Sequence, residues 1–172
     1  GAENALLSGV KIDPLKDRLG QEFRANLEDQ LNPNGIVPAD PRYRLSVTLK
    51  QTESGIGVAR DGTVSRYNVY LDSDYVLFRN SDGQKMTSGS LRHVTSYNNI
   101  TNQYFSTYVS QEDALKRGIA ELSQLYRQRL AAYLTENNGN PAIRENTPPL
   151  NPLTPETPAG QNSLTPKIPS GL

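Results

Sequence analysis

The longest regular pattern of apolar residues in the chain lies in residues 110–134. Apolar side chains recur there every three or four positions, at Leu115, Ile119, Leu122, Tyr126, Leu130 and Tyr133. This spacing is typical of one face of an α-helix. Ser110 has the side chain of an N-cap, and Asp113 follows at the capping-box position. We therefore predict a helix that begins after Ser110 and buries one face.

A second helix is predicted near the start of the chain. Asp13 is a suitable N-cap, and Pro14 suits the first helical position. The apolar residues that follow are four apart, namely Leu15, Leu19, Phe23, Leu27 and Leu31. The Asn32-Pro33-Asn34-Gly35 sequence then ends the pattern.

Alternating apolar and polar residues predict four strands. They lie in residues 6–12, 43–50, 64–79 and 84–96, with a break in the third strand near Asp72-Ser73-Asp74. Asp61-Gly62 and Asp82-Gly83 are hairpin signals that connect the last three strands. The predicted order is therefore β-α-β-β-β-α.

The burial needs of these elements predict the fold class. Each strand has one apolar face and each helix has one apolar stripe. The simplest arrangement is an α+β two-layer sandwich, with two helices packed on one face of a four-stranded mixed sheet. The other sheet face is polar, so it must contact water or a polar partner.

The last 35 residues differ in composition from the rest. Residues 138–172 contain eight of the twelve prolines and few apolar residues. Such a segment does not bury enough apolar surface to offset its chain entropy. We therefore predict a folded domain over residues 1–137 and a Pro-rich disordered tail over residues 138–172. A proline-rich ligand for a partner is the alternative reading of the tail.

Composition excludes several classes of function. The formal net charge is +0 and there is no Cys, so a nucleic-acid-binding surface, a disulfide framework and a thiol nucleophile are not expected. The only histidine, His93, has no carboxylate near it in the sequence. Asp72 and Asp74 flank a Ser in what we interpret as a turn. We therefore expect no catalytic residues, metal or cofactor, and a binding role instead of an enzymatic one.

Positive charge is concentrated in the strands. Residues 42–96 carry eight Lys and Arg against five Asp and Glu. Arg79 and Lys85 flank the Asp82-Gly83 turn, and Arg92 follows on the last strand. These three cations are candidates for binding an anionic headgroup, because guanidinium groups suit phosphate. Ordinary edge-strand charge remains the other interpretation.

Several short sequences in the predicted domain form a recognisable series, namely Gly20-Gln21, Leu31-Asn32-Pro33, Tyr43-Arg-Leu-Ser-Val-Thr-Leu49, Ser96-Tyr-Asn98, Tyr104-Phe-Ser-Thr-Tyr108 and Ser110-Gln-Glu-Asp-Ala114. The series resembles the LptE family of lipopolysaccharide-assembly lipoproteins, in the form found in alphaproteobacteria. The resemblance extends over roughly residues 5–135.

The resemblance implies a fold of two helices on a four-stranded sheet, which agrees with the architecture above. It also implies a lipoprotein on the periplasmic side of the outer membrane that plugs the LptD barrel and assists lipopolysaccharide insertion. The Cys that carries the lipid in such lipoproteins is missing, and the sequence begins at Gly1, so we expect the N-terminal lipid anchor to belong to a segment outside this sequence.

The polar lumen of a barrel would suit the polar sheet face, where Arg44, Arg66 and Tyr70 are candidates for contacts with the partner. Lipopolysaccharide is the expected ligand of Arg79, Lys85 and Arg92. An auxiliary lipoprotein of an ABC-type lipid-transport system is the alternative function.

Overall fold

The computed structural model describes residues 1–58, 60–62 and 64–137. The elements in this part follow the order α-β-α-β-β-β-α. They are α1 (Ala2–Ser8), β1 (Val10–Ile12), α2 (Arg18–Leu31), β2 (Tyr43–Val58), β3 (Val64–Arg79), β4 (Lys85–Ile100) and α3 (Tyr104–Asn137). The predicted tail, residues 138–172, lies outside the described residues.

The four strands form one mixed sheet in the order β1-β2-β3-β4. β1 pairs with β2 in parallel, whereas β2, β3 and β4 form an antiparallel meander. The three long strands have 16 residues each, so the sheet is about 50 Å long. Gly62 and Gly83 adopt φ angles of +72° and +70° at the two predicted turns, which only glycine adopts at low cost.

Among residues 43–57, 65–79 and 85–100 of β2, β3 and β4, the buried side chains lie on one face of the sheet, which we call the helix face. α3 packs on β3 and β4, and α2 packs beside α3. The core between the layers includes Phe23, Leu45, Leu71, Leu122 and Tyr126. The predicted α+β two-layer fold with a four-stranded mixed sheet is therefore confirmed.

The N-terminal strand prediction was wrong for residues 6–8, which belong to the additional helix α1. Leu6 and Leu7 are consecutive and both buried, whereas alternation would expose one of them. α1 packs against α3, and Arg127 of α3 donates a hydrogen bond to Asn4. This helix therefore depends on a distant part of the chain.

The predicted starts of both long helices were displaced. Asp17, not Asp13, caps α2, since its carboxylate accepts from the Gly20 N–H at 2.7 Å. Asp13 instead accepts from Arg44 at 2.6 Å. α3 begins at Tyr104, before the predicted cap at Ser110.

The predicted break at Asp72-Ser73-Asp74 was also wrong, because β3 keeps its register through these residues. Ser73 is buried on the helix face, where it donates to the Leu91 carbonyl and accepts from the Tyr126 hydroxyl. Its polar side chain is therefore satisfied inside the sandwich. The register irregularities lie elsewhere, between Gly55 and Gly57 and between Leu77 and Phe78.

Candidate binding face of the sheet

The face of the sheet opposite the helices is rich in polar side chains, and its residues are half-buried or exposed. We call it the open face. It carries Arg44, Ser46, Thr48, Lys50, Thr52 and Ser54 from β2, then Arg66, Asn68, Tyr70, Asp72, Asp74, Val76 and Phe78 from β3, and Ser88, Ser90, Arg92, Val94, Ser96 and Asn98 from β4. Four cations against two carboxylates make this face positive, and hydroxyl and amide groups occupy much of the rest.

A short charged row crosses the centre of the open face. Lys50, Asp72 and Arg92 are aligned on adjacent strands. Arg92 binds Asp72 through two nitrogens, and its guanidinium lies 5.1 Å from the centre of the Tyr70 ring. The hydrogen bond from Arg92 is the main reason why the pKa of Asp72 is lowered from its ordinary value. The guanidinium of Arg92 is thus held against the sheet by Asp72 and the Tyr70 ring, although the side chain is still 60% exposed.

The three residues predicted to contact a partner all lie on the open face. The Arg44 guanidinium lies 4.3 Å from the centre of the Phe78 ring and is ion-paired with Asp13. Arg66 donates to the Ser96 hydroxyl at 3.1 Å. Positions 66 and 78 of β3 are about 40 Å apart along the strand. Arg44, Tyr70 and Arg66 are therefore spread along most of one continuous surface.

The cations predicted to bind an anionic headgroup do not form one cluster. Arg79, the last residue of β3, pairs with the buried Tyr43 of β2. Its guanidinium donates two hydrogen bonds to the Asp82 carboxylate. These hydrogen bonds are the largest cause of the lowered pKa of Asp82. Lys85 is exposed and pairs with Phe78. Arg92 lies seven residues further along β4, about 23 Å away, so a single phosphate does not reach both Lys85 and Arg92.

The three residues weighed for catalysis, His93, Asp72 and Asp74, take part in strand pairing and in hydrogen bonds within the sheet. His93 is half-buried and pairs with Leu71 of β3. Asp74 accepts a hydrogen bond from Ser90, and Asp72 accepts from Arg92. Within the described ranges, no group of three or more His, Asp or Glu side chains is placed to hold a metal ion.

An exposed aromatic surface at one end of the molecule is missing from the sequence prediction. We call this end the tip; it consists of the end of the β2–β3 hairpin and the start of α3. Tyr104, Phe105, Tyr108 and Val109 of α3 are 84%, 80%, 54% and 40% exposed. The signal in the sequence is the concentration of aromatic residues in residues 96–110, a segment without a charged side chain. The predicted helix began only after Ser110, so these side chains were not assigned to a face.

The tip is ordered by contacts between the helix and the strands. Tyr97 stacks on Tyr67 with ring centres 5.6 Å apart and donates to Glu53 at 2.9 Å. Burial and, second, the contact with Glu53 raise the pKa of Tyr97 to about 12. Gln111 of α3 also donates to Glu53, at 2.8 Å. Glu53 therefore ties α3 to the sheet at the base of the tip.

None of the helices in the described part of the chain combines the length and the apolar character that crossing a membrane requires.

The fold is that of a small α+β protein, in which one layer of helices packs on a sheet whose other face has no helical layer within the described residues. The family model named LptE, lipopolysaccharide-assembly, matches residues 7–132. The chain therefore belongs to the LptE family of lipopolysaccharide-assembly proteins. No curated protein matches the chain significantly.

Solved structures of several lipoproteins share the fold. A candidate lipoprotein of Caulobacter crescentus is 18% identical with a TM-score of 0.66, and the match covers 80% of this chain and 98% of that one. The rare lipoprotein B of Shewanella oneidensis is 13% identical with a TM-score of 0.55, covering 74% of this chain and 95% of that one. A minor lipoprotein of Acinetobacter baumannii is 16% identical with a TM-score of 0.51, covering 72% and 90%. At these identities the likeness concerns the fold alone.

Proposed function

We propose that this protein binds the LptD outer-membrane barrel from the periplasmic side, plugs its lumen and assists lipopolysaccharide assembly by binding instead of catalysis. The observation that carries the proposal is the open face, which leaves one side of a 16-residue-long meander without a helical layer in the described residues. A polar sheet surface of this kind is compatible with the polar lumen of a wide barrel.

Specific side chains support a protein partner on this face. Arg44 is fixed by the Asp13 carboxylate and the Phe78 ring, and Arg92 is fixed by Asp72 and the Tyr70 ring. Held in place before binding, these guanidinium groups lose little conformational entropy when a partner docks. Arginine and tyrosine are also enriched at protein interfaces. We propose Arg44, Arg66 and Tyr70 as partner contacts.

The first test identifies the partner and then alters the open face. Affinity-tagged protein purified from detergent-solubilised envelopes should bring down a large barrel protein. In the variant with Arg44→Ser, Arg66→Ser and Tyr70→Ser, we expect the amount of captured barrel to fall at least about tenfold, equivalent to 1.4 kcal/mol. A variant with Lys16→Ser, Lys116→Ser and Gln128→Ser, all exposed on the helical side, also loses two cations and one long polar side chain and serves as the matched control.

Circular dichroism should show that both variants are folded, since surface substitutions usually change stability by at most about 0.5 kcal/mol each. Capture of an inner-membrane transporter in place of a barrel would contradict the plug and favour an auxiliary role in an ABC-type system. Equal loss in both variants would show that general charge, and not the open face, determines capture.

We further propose that Arg79, Lys85 and Arg92 contact lipopolysaccharide at two separate places. Arg79 and Lys85 lie at the β3–β4 turn, and Arg92 lies at the centre of the open face. Arg79 and Arg92 are already hydrogen-bonded to Asp82 and Asp72. A phosphate must therefore share or displace a carboxylate at these two residues, whereas Lys85 is exposed.

Replacing all three cations with Ser should weaken lipopolysaccharide binding at least about tenfold, because charge-assisted contacts contribute roughly 1.5–3 kcal/mol each when they are desolvated. A binding titration at two salt concentrations measures this change, since exposed contacts weaken as salt rises. The control variant loses Lys16, Lys116 and Arg129, which have the same charge and are exposed. Unchanged affinity in the folded triple variant would contradict these contacts without affecting the barrel proposal.

A further inference from the structure

The aromatic surface at the tip is the continuation of the buried stripe of α3. Tyr104 and Tyr108 are in helical register with Leu115, Ile119 and Leu122. Ile119 and Leu122 are buried in the core. α2 begins at Arg18, and a guanidinium nitrogen of Arg18 lies 3.6 Å from a carboxylate oxygen of Glu112 in α3. The first two turns of α3 therefore extend past the start of α2, and α2 does not cover their apolar side chains.

The surface is held in position before any partner binds. The hydroxyl of Thr107, in the first turn of α3, accepts from the Ile100 N–H at 3.1 Å. Thr101 in the preceding turn donates to the Gly62 carbonyl of the β2–β3 turn. These bonds fasten the start of α3 to the sheet. Aromatic side chains on a helix that is already held in place offer a large contact area for a small loss of conformational freedom.

The chemistry of the segment favours a protein as its occupant. Residues 96–110 contain no charged side chain but contain Tyr97, Tyr104, Phe105 and Tyr108. Depletion of charge and enrichment of Tyr and Phe are features of the core of protein interfaces. Helices that lie on lipid surfaces carry Lys and Arg on their polar face instead, and this segment has neither.

The size of the surface argues against a second copy of the chain. Four exposed side chains of this kind present on the order of 500 Å², which is the size of the largest apolar patch on a typical monomer, and such patches are often functional. A stable interface of standard size needs about 800 Å² from each partner. Two tips packed on each other would therefore form too small an interface, whereas the tip suits the centre of a larger one that includes the open face.

We infer that Tyr104, Phe105, Tyr108 and Val109 form an apolar anchor that inserts into an uncharged, apolar pocket of the barrel partner. The inference rests on the proposed function, and it specifies which end of the molecule inserts into the partner. The open face would contribute the polar part of the same interface, and the tip its desolvated centre.

The test compares two exposed apolar pairs. We expect the Tyr104→Ser, Phe105→Ser variant to capture at least tenfold less barrel protein from solubilised envelopes. The Ile36→Ser, Val37→Ser variant should capture as much as the wild type, although Ile36 and Val37 are 72% and 83% exposed. A photo-crosslinking p-benzoylphenylalanine in place of Phe105 should give an adduct with the barrel protein, and the same group in place of Val37 should give none.

Three outcomes would contradict the inference. If the tip variant captures as much barrel as the wild type, the tip is not an anchor, while the proposed function stands. If the wild type captures no barrel, the proposed function fails and the inference fails with it. If the full chain floats with phosphatidylglycerol vesicles, and the tip variant loses flotation but keeps barrel capture, the occupant of the tip is a lipid surface.

Discussion

Replacing Tyr126 with Ala should lower the free energy of unfolding by about 3–5 kcal/mol. Tyr126 is fully buried, and its ring lies edge-on against Phe23 of α2 and Tyr75 of β3, with centres 5.4 Å and 5.3 Å apart. Its hydroxyl donates to Ser73 at 2.7 Å. The substitution therefore opens a cavity where both helices and the sheet meet, and it removes the hydrogen bond that the buried Ser73 accepts. Urea denaturation followed by circular dichroism measures the change.

Two further variants separate the parts of this effect. Tyr126→Phe removes only the hydroxyl, so it should cost about 1 kcal/mol. Tyr133→Ala shortens a half-buried residue of the same stripe and should cost less than Tyr126→Ala. A loss below about 1 kcal/mol for Tyr126→Ala would mean that the interior of the sandwich is not packed around this ring.

Replacing Gly118 with Leu should also destabilise the protein, by about 1–3 kcal/mol or more. A Cβ atom at this position would lie 2.9 Å from Leu71 Cδ1 and 3.2 Å from Thr95 Cγ2. Leu71 is fully buried and has little room to move. Gly118→Ala should change the free energy of unfolding less. Ala favours a helix over Gly by up to about 1 kcal/mol, and this gain partly offsets the close contact of the new Cβ atom. The larger Leu side chain has no such compensation.

Thermal unfolding measures this prediction, since about 1 kcal/mol shifts the Tm by a few degrees in a domain of this size. Ala132→Leu, on the exposed side of the same helix, is the matched control and should leave the Tm nearly unchanged. Equal Tm values for the two Leu variants would show that α3 does not approach the sheet closely at Gly118.

The sequence by itself was sufficient to predict that helices and a sheet form two layers. The stripes of α2 and α3 and the alternation in β2 and β3 follow from which residues share a face within one element, and that depends on helix and strand geometry alone. Asp61-Gly62 and Asp82-Gly83 are likewise local signals, because the backbone of a tight turn needs a positive φ. The polar open face follows from the same alternation.

Only the tertiary structure decided the features that depend on distant residues. α1 has seven residues, too short to be stable without packing on α3. β3 continues through Asp72 and Asp74 because Arg92 and Ser90, on another strand, bind these carboxylates. The distance between the candidate anion-binding cations also depends on pairing between strands, because the register places Arg79 at the β3–β4 turn and Arg92 at the centre of the open face.

The tip shows the limit of periodicity most clearly. Tyr104 and Tyr108 continue the stripe that buries Leu122, so their pattern is that of core residues. They remain exposed because α2 begins only at the level of Glu112. Periodicity determined which side of α3 is apolar, but the length and position of a different helix determined how much of that side is covered. A local pattern specifies the face of an element, whereas burial depends on what packs against it.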